Sequence, residues 1–209
     1  MPDPLRDRVR AGRPDAAALR RETARRVKVG RTLYVHRVAD WRAWLRKHHK
    51  TRRDVWLVYY NKASGKPRIS YDDAVEEALC FGWIDSQTGK LDADRFAQRF
   101  TPRRPGSPVS EMNRARIRRL MREKRMTKAG LEAIGSLQTA RLVVPPDVKA
   151  ALQREPLAWK HFRRFPVGYR RIRIAFVEGA RRRPAEFERR LAHLVRRSAK
   201  NERFGMIRE

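Results

Sequence analysis

Cysteine is almost missing from this 209-residue chain. Cys80 stands alone, which excludes an internal disulfide framework and sets a reducing compartment as the expectation. Histidine is scarce too: five scattered residues offer no zinc-ligand spacing, and no pattern calls for a metal or a cofactor. No apolar run approaches the ~18 residues of a membrane span, so no integral membrane segment is expected. The first thirty residues carry arginines without an apolar stretch and cleavage site, unlike a secretory signal. Asp3, Asp7, Asp15 and Glu22 also set them apart from acid-poor transit peptides. A cytoplasmic location is therefore expected. The largest deficit is in negative charge.

Only 23 acidic residues stand against 52 Lys and Arg, a net charge of +29. Such a field attracts polyanions, whether nucleic acid or an anionic envelope component. A second reading stays open beside it: arginine heavily outnumbers lysine, as GC-rich coding would give, and the charge is then a solvated face with no partner. Five Trp, eight Phe and five Tyr, with 41% hydrophobic residues, supply a core and argue against disorder.

Hydrophobic patterning predicts an α+β fold: a small mixed or antiparallel sheet covered by helices, followed by a helical C-terminal module. The chain divides into a basic flexible arm (1–30), an α+β domain (31–140) and the helical module (141–209). Strands are expected over Thr32–Val38 and over Asp54–Asn61, the latter apolar enough to be buried on both faces. Further strands are expected at Trp83–Asp85 and Phe96–Thr101, joined through a Gln87–Asp94 turn region. Asp40 is a candidate N-cap for a helix over Trp41–His48. Ser70, Ser110 and Thr127 are candidate caps for three more. The Ser110 helix should turn Ile117, Leu120 and Met121 inward. Pro102–Pro108 reads as an exposed loop. Beyond Val-Val-Pro-Pro (residues 143–146) three or four helices are expected, over Asp147–Arg154, Pro156–Arg164, Gly168–Gly179 and Pro184–Arg197. Their apolar stripes are Tyr169, Ile172 and Phe176, and Phe187, Leu191, Leu194 and Val195.

Candidate chemistry falls into two groups. The arginines Arg103, Arg104, Arg114, Arg118, Arg122, Arg125, Arg181, Arg182 and Arg183 form the candidate polyanion-binding set, since guanidinium groups bind phosphate through several donors at once. Tyr71, Cys80, Trp83, Asp85, Arg99 and Ser107 form the candidate small-molecule pocket. Each has a plainer reading. Cys80 ends a helix, away from the field that activates thiols, and reads as a small buried hydrophobe. Asp85 reads first as the partner of Arg99 or Arg103. Asp72, Asp73, Glu76 and Glu77 lie in the first turns of a helix, where the dipole favours negative charge. Ser64-Gly65-Lys66 lacks P-loop spacing. No catalytic residue is assigned.

The motifs YYNKASGKP (Tyr59 to Pro67), SYDDAVEEALCFGWIDS (Ser70 to Ser86), RFTPRRPGSP (Arg99 to Pro108) and RMTKAGL (Arg125 to Leu131) resemble the YdeI/OmpD-associated, or bacteriocin-protection, family. The resemblance spans roughly Leu33 to Val195. Val167-Gly168-Tyr169-Arg170-Arg171 and Arg183-Pro184-Ala185-Glu186 sit where the family's helical module has its own Arg-Arg and Pro-Glu segments. It implies a bacterial accessory protein, non-enzymatic, linked to tolerance of bacteriocins or antimicrobial peptides. A non-specific nucleic-acid-binding protein is the alternative. An enzyme centred on Tyr71, Cys80, Trp83 and Asp85 is the third reading. The protein partner is left open.

Overall fold

The computed structural model describes residues 28–135 and 141–205. The basic arm expected over residues 1–30 lies outside them except for its last three residues. The architecture is α+β, as the patterning predicts. Four strands, β1 (Thr32–Leu33), β2 (Val55–Tyr60), β3 (Trp83–Lys90) and β4 (Arg95–Pro102), form one mixed sheet in the order β1-β2-β4-β3. β1 runs parallel to β2, and the other pairings are antiparallel. β2 is internal to the sheet, and its residues Val55 to Tyr59 are all buried. Alternation sends Val55, Leu57 and Tyr59 into the main core, while Trp56 and Val58 are buried outside that cluster.

Eight α-helices are present among the described residues: α1 (Val38–His48), α2 (Tyr71–Cys80), α3 (Glu111–Arg122), α4 (Lys128–Ile134), α5 (Pro146–Arg154), α6 (Pro156–Arg164), α7 (Val167–Glu178) and α8 (Pro184–Ala199). Local chemistry starts most of them. Ser70, Ser110 and Thr127 accept from the backbone N–H of Asp73, Asn113 and Gly130, each at the third helical position. Pro146, Pro156 and Pro184 open α5, α6 and α8, where a missing N–H costs no intrahelical bond. The first core packs α1 and α2 against the sheet through Trp41, Leu45, Leu79, Trp83 and Phe100. The second gathers Val148, Leu152, Phe162, Tyr169, Val177 and Leu194 among α5 to α8. Helix α3 touches both α2 and α7, joining the two clusters.

Several expectations need correction. Asp40 does not cap α1, which begins at Val38 behind Arg37; it sits in the first turn and binds the Arg37 guanidinium at 2.7 Å. The first strand is two residues long rather than seven, and β3 runs through the region expected to turn, with a bulge between Asp85 and Thr88. Met121 and Phe176 face outward, at 47% and 38% exposure. Tyr169 and Ile172 of the expected stripe are buried, and Ile174 and Val177 take the place of Phe176 on the buried side of α7.

Candidate anion-binding site

Helix α2 buries eight of its ten residues, and three of those are acids: Asp72, Glu76 and Glu77. A carboxylate out of water must be paired or neutralised. Here each meets arginine from another element. Arg116 of α3 reaches Asp72 at 2.5 Å, and Arg119 binds Glu76. Glu77 accepts from Arg42 of α1 on Oε2 and from Arg125 on Oε1, both at 2.6 Å. Glu123 closes the network, 2.9 Å from Arg119 and 3.1 Å from Arg125. The acids of this helix are the cement between α1, α2 and α3.

The candidate arginines divide accordingly. Arg125 belongs to the buried network, and its bonds to Glu77 and Glu123 raise its pKa despite burial. Arg181 binds both Asp147 and Glu178. Arg114 lies 3.7 Å from Glu111 and donates to the Val109 carbonyl; Arg118 is half-buried and engaged. Arg104, Arg122, Arg182 and Arg183 are exposed and meet no carboxylate among the described residues. Arg103 and Arg104 precede the first turn of α3, whereas Arg122 sits in its last.

The six pocket candidates do not converge. Tyr71 donates to Asp85 Oδ2 at 2.7 Å, and this half-exposed pair is the one contact among them. Burial and the Asp85 bond push the Tyr71 phenol above its ordinary range. Arg99 instead holds Asp54, at 2.7 Å. The reason is strand parity: Asp85 is paired with Phe100, so Arg99 projects from the opposite face of the sheet. Trp83 is core and donates to the His49 carbonyl at 3.1 Å. Cys80 is fully buried, and burial, with the Glu77 charge, pushes its thiol up to about 11, the reverse of an activated nucleophile. No group of His, Cys and acidic residues suited to a metal occurs among the described residues, and none of their helices is long and apolar enough to cross a membrane.

Ser107 lies elsewhere, beside Arg103. Arg103 Nη2 donates to the Ser107 carbonyl at 2.8 Å and to its Oγ at 3.0 Å. With Arg114, these residues line a hollow of about 410 Å³ between the 103–109 loop, the start of α3 and the end of α4. A larger groove of about 640 Å³ lies between α5 and α8, floored by Ala151, Leu191 and Val195. Its rim mixes Asp147, Glu188, Arg154 and Arg196, so it selects neither sign of charge. The sequence sets Arg103 and Arg114 together among the polyanion-binding candidates and Ser107 apart among the pocket candidates. Their convergence depends on the turn at Gly106, which folds Ser107 back onto Arg103.

Comparison with known families places the resemblance more narrowly than the motifs suggested. Residues 141–201 match the family described as bacteriocin-protection, YdeI or OmpD-associated. Residues 33–133, which hold all four long motifs, match a separate domain of unknown function (DUF8412). No curated protein and no solved structure was found to match the chain. The segment similar to the bacteriocin-protection family thus contains α5 to α8, and the hollow at Arg103 and Ser107 is built mainly from the upstream segment.

Proposed function

We propose that this is a non-enzymatic accessory protein that contributes to tolerance of bacteriocins or antimicrobial peptides by covering an anionic target through exposed arginines. One observation carries the reading. With 52 basic and 23 acidic residues, pairing every carboxylate with one base still leaves 29 bases unmatched. The buried network ties up arginines and acids in equal number, so the surplus of positive charge lies on the rest of the chain. A chain of this charge repels cationic peptides, which argues against direct sequestration. Shielding their phosphate-rich target is the version consistent with the electrostatics. The family's printed name supplies the link to bacteriocins.

The test is survival. Expression in a bacteriocin-sensitive bacterium should raise the surviving fraction, and replacing Arg104, Arg122, Arg182 and Arg183 together by glutamine should lower it again. Unchanged survival with a well-expressed chain would end this reading. The same surface chemistry favours a second one, non-specific nucleic-acid binding, because phosphate contacts need no base recognition. The survival assay separates the two, since exposed arginines retard random DNA and RNA in a gel shift under either reading and only the first raises survival.

A further inference from the structure

Cations drawn into the interface of α1, α2 and α3 bring their own counter-charge: Arg42, Arg116, Arg119 and Arg125 all face carboxylates. Arg103 departs from this. It is half-buried, meets no carboxylate among the described residues, and its Nε is buried without a hydrogen-bond acceptor. Burial alone, with no opposing charge, lowers its pKa. Leaving a guanidinium partly desolvated and unpaired is unfavourable. Arg173 in the second core is also without a carboxylate, but the rings of Tyr169, Phe176 and Phe204 lie 4.7–5.6 Å from its guanidinium and stabilise the charge. Arg103 has no such rings. It has a hollow.

The hollow is built before any ligand arrives. Arg103 N–H donates to the Gly82 carbonyl at 2.9 Å, tying the loop to the core. Gly106, at φ +72°, makes the turn that side chains disfavour, and the Ser107 N–H and Oγ both bond the Arg104 carbonyl. Ser107 then holds Nη2 through two bonds, so the guanidinium plane is set while Nε–H is left without an acceptor. Arg114 contributes a second guanidinium to the same lining, and Pro105, Val109 and Ile134 contribute apolar surface.

We propose that this hollow binds a small organic anion, its carboxylate or phosphate group seated between Arg103 and Arg114 and its apolar remainder on Pro105, Val109 and Ile134. Donors pointing in different directions are satisfied by a group with two or more oxygens. A volume of about 410 Å³ exceeds what a bare ion needs and falls within the range of small-molecule sites. Glu132, mostly exposed in the lining, disfavours a second negative group, so the ligand carries a single anionic head. This site is independent of the polyanion surface: the exposed arginines can fail to hold a polymer while Arg103 saturates with a small molecule.

The experiment follows the arginine Nε–H resonances of the full chain by NMR at physiological salt, with benzoate and inorganic phosphate as separate probes. The Arg103 signal should move and saturate with at least one of them. Saturation by benzoate alone assigns a carboxylate ligand, and saturation by phosphate assigns a phosphate head. Arg103→Gln should weaken binding at least about tenfold, the scale of one charge-assisted hydrogen bond, and Arg114→Gln should act in the same direction. Arg52→Gln removes the same charge from an exposed site outside both arginine sets and should leave the affinity unchanged. If Arg103→Gln does not fold, Arg103→Lys keeps the charge without the fork and should show the same loss. The proposal is overturned if neither probe saturates the Arg103 signal, or if Arg52→Gln weakens binding as much as Arg103→Gln.

Discussion

Glu77→Ala should destabilise the folded chain by about 3–5 kcal/mol, a large share of the ~5–15 kcal/mol that holds a typical domain. Glu77 is 2% exposed and accepts from two guanidinium groups, one on each carboxylate oxygen. Removing it strands Arg42, whose carboxylate partner is Glu77, while Arg125 keeps Glu123 at 3.1 Å; Arg42 Nη2 also donates to the Arg125 carbonyl at 3.1 Å. The loss is therefore that of one cation stranded at an interface and a second stripped of its shortest ion pair, far more than a truncated side chain. Urea unfolding measures it, and a loss below about 1 kcal/mol would contradict the network's role. Replacing Glu77, Arg42 and Arg125 together by apolar residues should recover most of the stability, because the desolvation penalty leaves with the charges.

That network also shows where the sequence stopped being readable. Caps and starts were legible because their chemistry is local: Ser70, Ser110 and Thr127 act three residues downstream, and the helix-opening prolines act at their own positions. The apolar run of β2 was legible because burial on both faces leaves no polar residue in it. The acids of α2 were read as helix-dipole partners because nothing nearby in sequence pairs with them; Arg116 lies 44 residues beyond Asp72 and Arg125 lies 48 beyond Glu77. One signal was available. Arg116 and Arg119 flank Ile117 and Leu120 on the buried side of α3, matching Asp72 and Glu76 one turn apart on α2. The four-residue spacing of Arg114, Arg118 and Arg122 is the more conspicuous arginine pattern, and it runs along a different line of the helix. Asp85 was given to Arg99 or Arg103 for want of the strand register, which turns Arg99 to the other face. Met121 and Phe176 show the limit of helical periodicity, which gives the angle between side chains but not the direction of the neighbouring element.

Gly130→Ala is expected to destabilise by about 3 kcal/mol, at the upper end of over-packing effects. A Cβ there would sit 2.2 Å from the Cys80 carbonyl oxygen and 2.7 Å from its carbon, and both are backbone that no rotamer change moves aside. The same Cys80 carbonyl accepts from the Thr127 N–H at 3.0 Å and from Thr127 Oγ1 at 2.7 Å, so α4 is clamped onto the end of α2. Gly168 is the control. A Cβ on it meets nothing within 4 Å, and Gly168→Ala should leave stability unchanged or raise it by up to about 1 kcal/mol. Thermal melts of the two variants decide the matter, and equal melting temperatures would refute the close approach at Gly130.

The measurement that bears most directly on the surplus of positive charge is the affinity for heparin or random duplex DNA as a function of salt, for the natural chain and for the variant with Arg104, Arg122, Arg182 and Arg183 replaced by glutamine. Log affinity should fall linearly with log salt, and for DNA the slope should shrink by about 0.9 for each of the four arginines that contacts phosphate. No measurable binding by the natural chain near physiological salt, or identical slopes for the two proteins, would contradict the account.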